Sequence, residues 1–531
     1  MAFSIKEYLY TAFSARGLDT DNEAFIHALE VALFSDKSLF LTGKAGTGKT
    51  TFLHTLRKLN QDKNMAVVAP TGVAAINAKG KTIHSFFKID PRQLFLPGDP
   101  RLQPKKREKG KGLNIFEQFQ YRKKHRDLIN RMDMLVIDEV SMVRVELLDV
   151  IDQLLRVYRK KMHLPFGGVQ MIFIGDPFQL PPVVRNTDWE HLAPHYGSRF
   201  FFSSHAFQAL MPLHIELQKI YRQKDEQFKA LLNRIRESEH TPADIQRLNE
   251  TAKNYRFGLL DEEYILIGTH NATIAEINRQ KLAELKKEPR TYRAEIKDDF
   301  PLNMAPFDPV DLTLKIGAQV IFMRNNPDAK YYNGMIGKVT KMTDDMIEVE
   351  DRRGFIYEVH REVWENVEFV YNEAEEHLES KVIGTFIQFP LKLAWAITVH
   401  KSQGLTFERA ILDISRSFEA GQAYVALSRC TTLNGLVLKS PIREFSVKVS
   451  PESLAFSRQR LASEQIEKEL ELARALQLLK HAFRAFRNGQ YETAQQMFDE
   501  VMAIHDVTQY PKWQQFLRLK EALEDRFYCR N

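Results

Sequence analysis

The stretch FLTGKAGTGKTTFL, Phe40 to Leu53, decides the fold. Its centre, Gly43 to Thr50, reads G-K-A-G-T-G-K-T and lies between an apolar run and a helical pattern, the context in which a phosphate-binding loop forms. Glycine lets the backbone amides turn inward around phosphates, and the following helix N-terminus adds partial positive charge. Gly43, Ala45, Gly46, Thr47, Gly48, Lys49, Thr50 and Thr51 are therefore the expected nucleotide contacts. Lys49 should reach the β and γ phosphates, and the Thr50 hydroxyl should ligate Mg²⁺.

A phosphate loop of this kind sits on a parallel sheet. From Ser38 to about Gly175 the runs SLFLT, MAVVA, DMLVID and VQMIFIG are apolar on both faces, as strands covered by helices on each side must be. A doubly wound α/β core is expected there. EYILIG and RAILDI mark a second such core between about Glu216 and Ser440, so tandem nucleotide-motor lobes are expected. In LVIDEVSMV four apolar residues run into Asp138 and Glu139. The first carboxylate can hold Mg²⁺, and the second can polarise an attacking water.

The 531 residues are 44% hydrophobic and 27% charged, and 75 Lys and Arg stand against 69 Asp and Glu. The chain is long enough for several domains. The basic excess is concentrated: Arg101 to Arg126 holds 10 Lys or Arg against 2 Glu. That insertion, 88–127, reads either as an element facing duplex phosphates or as a solvated loop. Between 289 and 390 short strand patterns and the Asn333-Gly334 turn signal suggest a small β-barrel. After about 450 the pattern is helical, with apolar residues on either side of Asn488-Gly489 resembling one tetratricopeptide-type hairpin; it either packs on the motor or docks a protein partner.

The two cysteines, Cys430 and Cys529, build neither a disulfide framework nor a zinc site. The first twenty residues carry Glu7 and Asp19 and no signal-type apolar core, and no run approaches the length needed to span a bilayer. A cytoplasmic location is expected.

In order along residues 38 to 440 stand GKAGTGKTTF, APTGVAAINAKGKTIHSFF, LVIDEVSMV, GDPFQLPPV, LQKIYRQKDEQF, ITVHKSQGLTF and AYVALSRC. This series resembles the petite-integration-frequency (Pif) family of superfamily one 5′-to-3′ DNA helicases. The resemblance implies two RecA-like lobes: 1–87 with 128–210, and 211–288 with 391–450. The insertions 88–127 and 289–390 would be a wedge-like element and an SH3-like barrel, and 451–531 a helical extension. It implies that Gln179 and Gly404 approach the γ phosphate and that Arg222 and Arg429 act as second-lobe arginine fingers. The family's adenine-reading glutamine is absent; Asn22 stands in that region and offers an amide in its place.

The implied partner is single-stranded DNA with duplex or forked DNA ahead of it, in repair, replication or recombination. Thr71, Gly72, His84, Ser85 and Phe86 of the first lobe and Thr269, Asn271, Thr398, His400 and Lys401 of the second would grip the strand. A RecD-like motor, and an ATP-gated factor that remodels or recruits partners without unwinding, are the alternatives.

Overall fold

The structure is a computed structural model that describes residues 19–60, 62–104, 114–223, 225–256, 258–307, 310–326, 330–373, 377–415, 419–458, 463–487, 489–504 and 514. Six strands form the first sheet: β1 (Leu39–Gly43), β2 (Met65–Ala69), β3 (Lys81–Thr82), β4 (Met134–Ile137), β5 (Gln170–Ile174) and β6 (Leu213–Leu217). Their order is β3-β2-β4-β5-β1-β6 and every pairing is parallel. The residues of β1, β4, β5 and β6 are all buried, because helices cover both faces.

The edge strand β6 corrects the expected boundary at 211. Leu213 to Leu217 pair in register with Leu39 to Gly43, so the first lobe continues to 217 before the chain crosses over. The second sheet holds β7 (Ile265–Gly268), β8 (Ala396–Thr398), β9 (Ala410–Asp413) and β10 (Leu436–Leu438) in the order β8-β7-β9-β10, again all parallel. Its core gathers Phe228, Leu231 and Ile235 of the helix Glu226–Arg236 around Ile265, Ile267, Ala410 and Leu412.

Between β7 and β8 lies a five-stranded antiparallel sheet in the order Ile356–Val359, Ile347–Glu350, Ile336–Met342, Gln319–Phe322, Leu391–Leu393. Val320, Phe322, Val339, Ile347 and Val349 fill a core of its own. Asn333-Gly334 does not make a two-residue hairpin: the connection between Phe322 and Ile336 is a longer loop, which the pair closes near its end through the Gly334 N–H on the Phe322 carbonyl at 2.9 Å. A second feature was not legible in the sequence. The long hairpin Glu362–Asn372 and His377–Gln388 reaches the first lobe, where Phe369 and Leu378 join its core. Arg131 donates to the Tyr371 hydroxyl at 2.7 Å, with its guanidinium 4.2 Å from that ring's centroid.

The flanks of the basic insertion fold onto the first lobe. Phe95, Leu102, Ile115 and Phe119 are part of its core, and the Ile115 N–H donates to the Gln103 carbonyl at 3.1 Å, closing the base of the segment. Lys105, Lys106, Arg107, Lys109 and Lys111 lie outside the described residues.

The C-terminal helices first return to the first lobe. In Pro451–Ser457 the Phe456 ring stacks on Phe202 at 4.3 Å and contacts Phe40, Phe207 and His214. Leu470 of the helix Ser463–Arg487 enters the first-lobe core, and Glu469 pairs with Lys37 at 2.8 Å. Farther on, that helix and Tyr491–Ile504 share a separate apolar cluster of Ala475, Leu479, Ala482, Ala494, Phe498 and Val501. Among the described residues no helix is long and apolar enough to cross a membrane.

Candidate nucleotide site and strand path

The phosphate loop leaves β1 and runs into the helix Lys49–Leu59, whose N-cap is Gly48 at φ +95°. Phe52, Leu53, Leu56 and Leu59 bury one face of that helix and fix its start at the sheet's carboxyl edge. Gly46, at φ +83°, has a second reason to be glycine: a Cβ there would lie 2.3 Å from the Cβ of Arg222. Thr47 is buried and donates its hydroxyl to the Lys44 carbonyl at 2.9 Å. Thr50 and Thr51 are exposed at the mouth. Lys49 curls back, donating to the carbonyls of Gly43 at 2.6 Å and Lys44 at 3.1 Å. Burial lowers its pKa, and the charges of Asp176 and Glu139 oppose that effect.

Asp138 and Glu139 follow β4. Glu139 has φ +50°, a left-handed conformation that a residue with a Cβ adopts at a cost, and its N–H donates to Asp138 Oδ1 at 3.0 Å. Burial pushes both carboxyls up; the neighbouring Glu139 adds to the rise at Asp138, while Lys49 and Arg429 oppose it at Glu139. Gln179 is buried, and its amide donates to Asp176 Oδ2 at 3.3 Å.

Groups from beyond the first lobe close over this loop. Tyr424 of the helix Gln422–Leu427 accepts the Ala45 N–H at 3.2 Å. Arg222 lies on the chain crossing between lobes and donates to the Gly404 carbonyl at 3.4 Å. Arg429 is 2% exposed and is held by the carbonyl of Val425 at 3.0 Å and, at 3.4 Å, by those of Ser402 and Leu405. Burial lowers the pKa of both arginines, and the charge of Glu139 acts on each in the opposite sense. Arg222, Arg429 and Gly404 are thus gathered at the seam beside the loop.

Asn22 is close by, but both ends of its amide are engaged. Its Oδ1 caps the helix Glu23–Phe34 through the Phe25 N–H at 3.2 Å, and its Nδ2 donates to the Tyr221 hydroxyl at 3.1 Å. In this arrangement Asn22 is a cap and a brace for Tyr221, whose own N–H donates to the Gly46 carbonyl at 2.9 Å. That corrects its expected role as a ready adenine reader.

The candidate strand contacts follow the carboxyl ends of parallel strands, where ligands of open α/β sheets bind. Thr71 and Gly72 come after β2, His84 and Ser85 after β3, Thr269 and Asn271 after β7, and His400 and Lys401 after β8. Two expectations are corrected. Phe86 is 2% exposed, its ring packed against Phe87, His125 and Phe369, so it offers no face to a base. Thr398 is 3% exposed, and its hydroxyl accepts the Lys401 N–H at 3.3 Å. The hydroxyl of Thr71 likewise accepts a backbone N–H, that of Ala74 at 3.2 Å, and so caps the helix Gly72–Asn77.

The sequence reading missed Asp176, Arg236 and Tyr424. Asp176 and Tyr424 stood inside the same motifs as Gln179 and Arg429. For Arg236 the signal was positional: Phe228, Leu232 and Arg236 are spaced four apart, so a cation falls on an apolar helix stripe.

A sequence model of one family, described as PIF1-like helicase, matches residues 18–96 and 107–244. An ATP-dependent DNA helicase of Emericella nidulans is 30% identical over 489 residues, which cover 81% of this chain and 62% of that protein, so the chain spans less than two thirds of this relative's length. One from Bdellovibrio bacteriovorus is 30% identical over 433 residues, covering 80% of this chain and 89% of that protein. Among solved structures, a Bacteroides sp. Pif1 in complex with ADP-AlF4 is 37% identical with a TM-score of 0.71, covering 86% of this chain and 96% of that one.

Proposed function

The chain belongs to the PIF1-like helicase family, and from that premise we propose that it is an ATP-dependent DNA helicase moving 5′ to 3′ along single-stranded DNA and opening duplexes or forks. The observation that carries this reading is the seam. Tyr424, Arg222 and Arg429, all outside the first lobe's compact core, meet the phosphate loop and Glu139, so the state of a bound nucleotide bears directly on how the two lobes sit.

The residues present suit ATP and Mg²⁺. The Lys49 ammonium, now on two loop carbonyls, can turn to the β and γ phosphates, and the loop amides receive the remaining oxygens. Asp138 and Glu139 form a partly buried pair of carboxyls whose mutual repulsion a cation relieves. Thr50 and Asp138 would hold Mg²⁺, whose contribution when bound is to neutralise charge on the phosphates. Among the described residues no group of three His, Cys, Asp or Glu could hold a metal, and an ion carried largely by phosphate and water does not need one. Glu139 accepts the proton of the attacking water, Gln179 faces the terminal phosphate, and Arg222 and Arg429 place positive charge on the transferring group.

Closing and opening of the seam then moves one set of strand contacts relative to the other. Thr71, Gly72, His84 and Ser85 ride on the first lobe; Thr269, Asn271, His400 and Lys401 ride on the second. Opening a base-pair step takes about 1.4 kcal/mol, well within one hydrolysis event.

Strand displacement on forks with a 5′ or a 3′ tail is the test. Displacement only from the 5′ tail is expected, with Lys49→Ala slowing ATP turnover by about a hundredfold or more and abolishing displacement. DNA-stimulated turnover without displacement would replace this reading with that of a remodelling ATPase.

A further inference from the structure

The loop Asp176 to Leu180 begins just beyond β5 of the first lobe, yet it is gripped from elsewhere. Leu180 is fully buried in the second-lobe core with Phe228 and Leu231. Gly421 presses so closely that a Cβ there would lie 2.4 Å from the Gln179 carbonyl oxygen. Ser453, at the foot of the C-terminal helices, donates its hydroxyl to the Pro177 carbonyl at 2.8 Å.

The fourth contact is charged. Arg236 ends the second-lobe helix Glu226–Arg236 and is 1% exposed. Its Nε and Nη2 donate to Asp176 Oδ1 at 3.3 and 3.1 Å, and Nη2 lies 3.1 Å from a Glu216 carboxylate oxygen on β6. Its guanidinium carbon is 4.3 Å from the centroid of Phe178. Asp176 passes this contact on: Oδ1 also accepts the Phe178 N–H at 3.2 Å, and Oδ2 accepts the Gln179 side-chain amide at 3.3 Å. One residue along, Glu237 stands 3.7 Å from the Lys44 ammonium of the phosphate loop.

Resting on the ATPase reading above, we infer that Arg236 is a positioning residue of the hydrolysis cycle: through Asp176 it sets the Gln179 amide, so that a shift of the second lobe re-aims the loop at the terminal phosphate. Charge couples the two. A buried arginine shared by two buried carboxylates cannot leave them without stranding unpaired charge, so helix and loop move together. The fork of the guanidinium also fixes direction, because two of its nitrogens hold one carboxylate oxygen while the ring of Phe178 holds its plane. Arg236 is hydrogen-bonded to Asp176 and paired with Glu216, and its charge also acts through space on Lys49; the route by way of Asp176 and Gln179 is the one the double variant isolates.

The test compares full-length wild type with Arg236→Met, Arg236→Lys, Gln179→Ala and the double variant Arg236→Met with Gln179→Ala. Saturating ATP turnover is measured with and without oligo-dT, and affinity with a fluorescent ADP analogue. Arg236→Met should lower kcat by about tenfold or more while leaving ADP affinity within about twofold, with Arg236→Lys between it and wild type. The double variant should be no slower than the worse single one, as for residues acting through one route. Leu232→Ala, a core change in the same helix that leaves the Arg236 and Asp176 side chains in place, controls for destabilisation and should keep kcat within about twofold. Multiplicative losses in the double variant, an unchanged kcat in Arg236→Met, or an equal kcat loss in Leu232→Ala would overturn the inference. Should Arg236→Met fail to fold, Arg236→Lys paired with Gln179→Ala completes the same cycle, with non-multiplicative losses expected and multiplicative ones overturning the inference. Because the cycle is scored on ATP turnover, absence of strand displacement defeats the helicase reading without touching this one; absence of turnover in wild type defeats both.

Discussion

Phe86 stands among hydroxyls and histidines in a motif read as a strand contact, and its ring closes the core beside His125. His125 in turn packs 4.5 Å from the Tyr121 ring, and burial, reinforced by Lys88 and Lys81, lowers its pKa from 6.5 to about 4. The unfolded chain takes up that proton near pH 6.5, the folded chain only near pH 4. The unfolded state therefore binds more protons within this window, and the contribution of His125 to stability is present above it and lost as pH falls through it. With about 1.4 kcal/mol per pKa unit and a ring that is half-buried, the loss should be about 2 kcal/mol. Urea unfolding of wild type and His125→Phe at pH 7.5 and pH 4 checks this: the variant should show the smaller fall. Equal falls would assign the acid sensitivity to other groups. The same core that explains the histidine explains the misreading of Phe86, since composition tells that an aromatic is present and only packing tells which way it faces.

At the scale of elements, the strands were legible because burial on both faces writes itself as unbroken apolar runs; SLFLT, MAVVA, DMLVID and VQMIFIG became β1, β2, β4 and β5. The helix Pro451–Ser457 was not, because seven residues carry too little periodicity to announce a docking site. Its Phe456 nonetheless lies among Phe40, Phe201, Phe202, Phe207 and His214, fastening the chain that leaves the second lobe onto the back of β1. Removing a partly buried ring from such a cluster should cost about 2 kcal/mol. Phe456→Ala is therefore expected to lower Tm by a few degrees, whereas Phe445→Ala, which removes a ring that is 61% exposed, should leave it nearly unchanged. Equal shifts would mean that the cluster does not anchor the C-terminal helices.

For the molecule as a whole, the seam between the lobes gathers Lys49, Arg222, Arg236 and Arg429 against Asp138, Glu139, Asp176 and Glu216. A nucleotide entering there contacts both lobes and should stabilise them together. At about 100 times its dissociation constant, a non-hydrolysable ATP analogue should add about 2.7 kcal/mol. Calorimetry should show the transitions of both lobes rising, and Lys49→Ala should remove the rise. A shift confined to the first lobe would place the nucleotide outside the seam.

The phosphate loop, the paired carboxylates after β4 and the order of the motifs were fixed by local chemistry, since each needs particular residue types at short spacing, and those appear in any reading of the chain. The course of the long hairpin onto the first lobe, the reversal of Phe86 and Thr398 into the protein, the capture of Asn22 by a helix cap and the burial of Arg236 between two carboxylates depend on how segments far apart in the chain, or side chains within one turn, settle against one another. Local pattern holds no record of such contacts, so only the packed chain decides them.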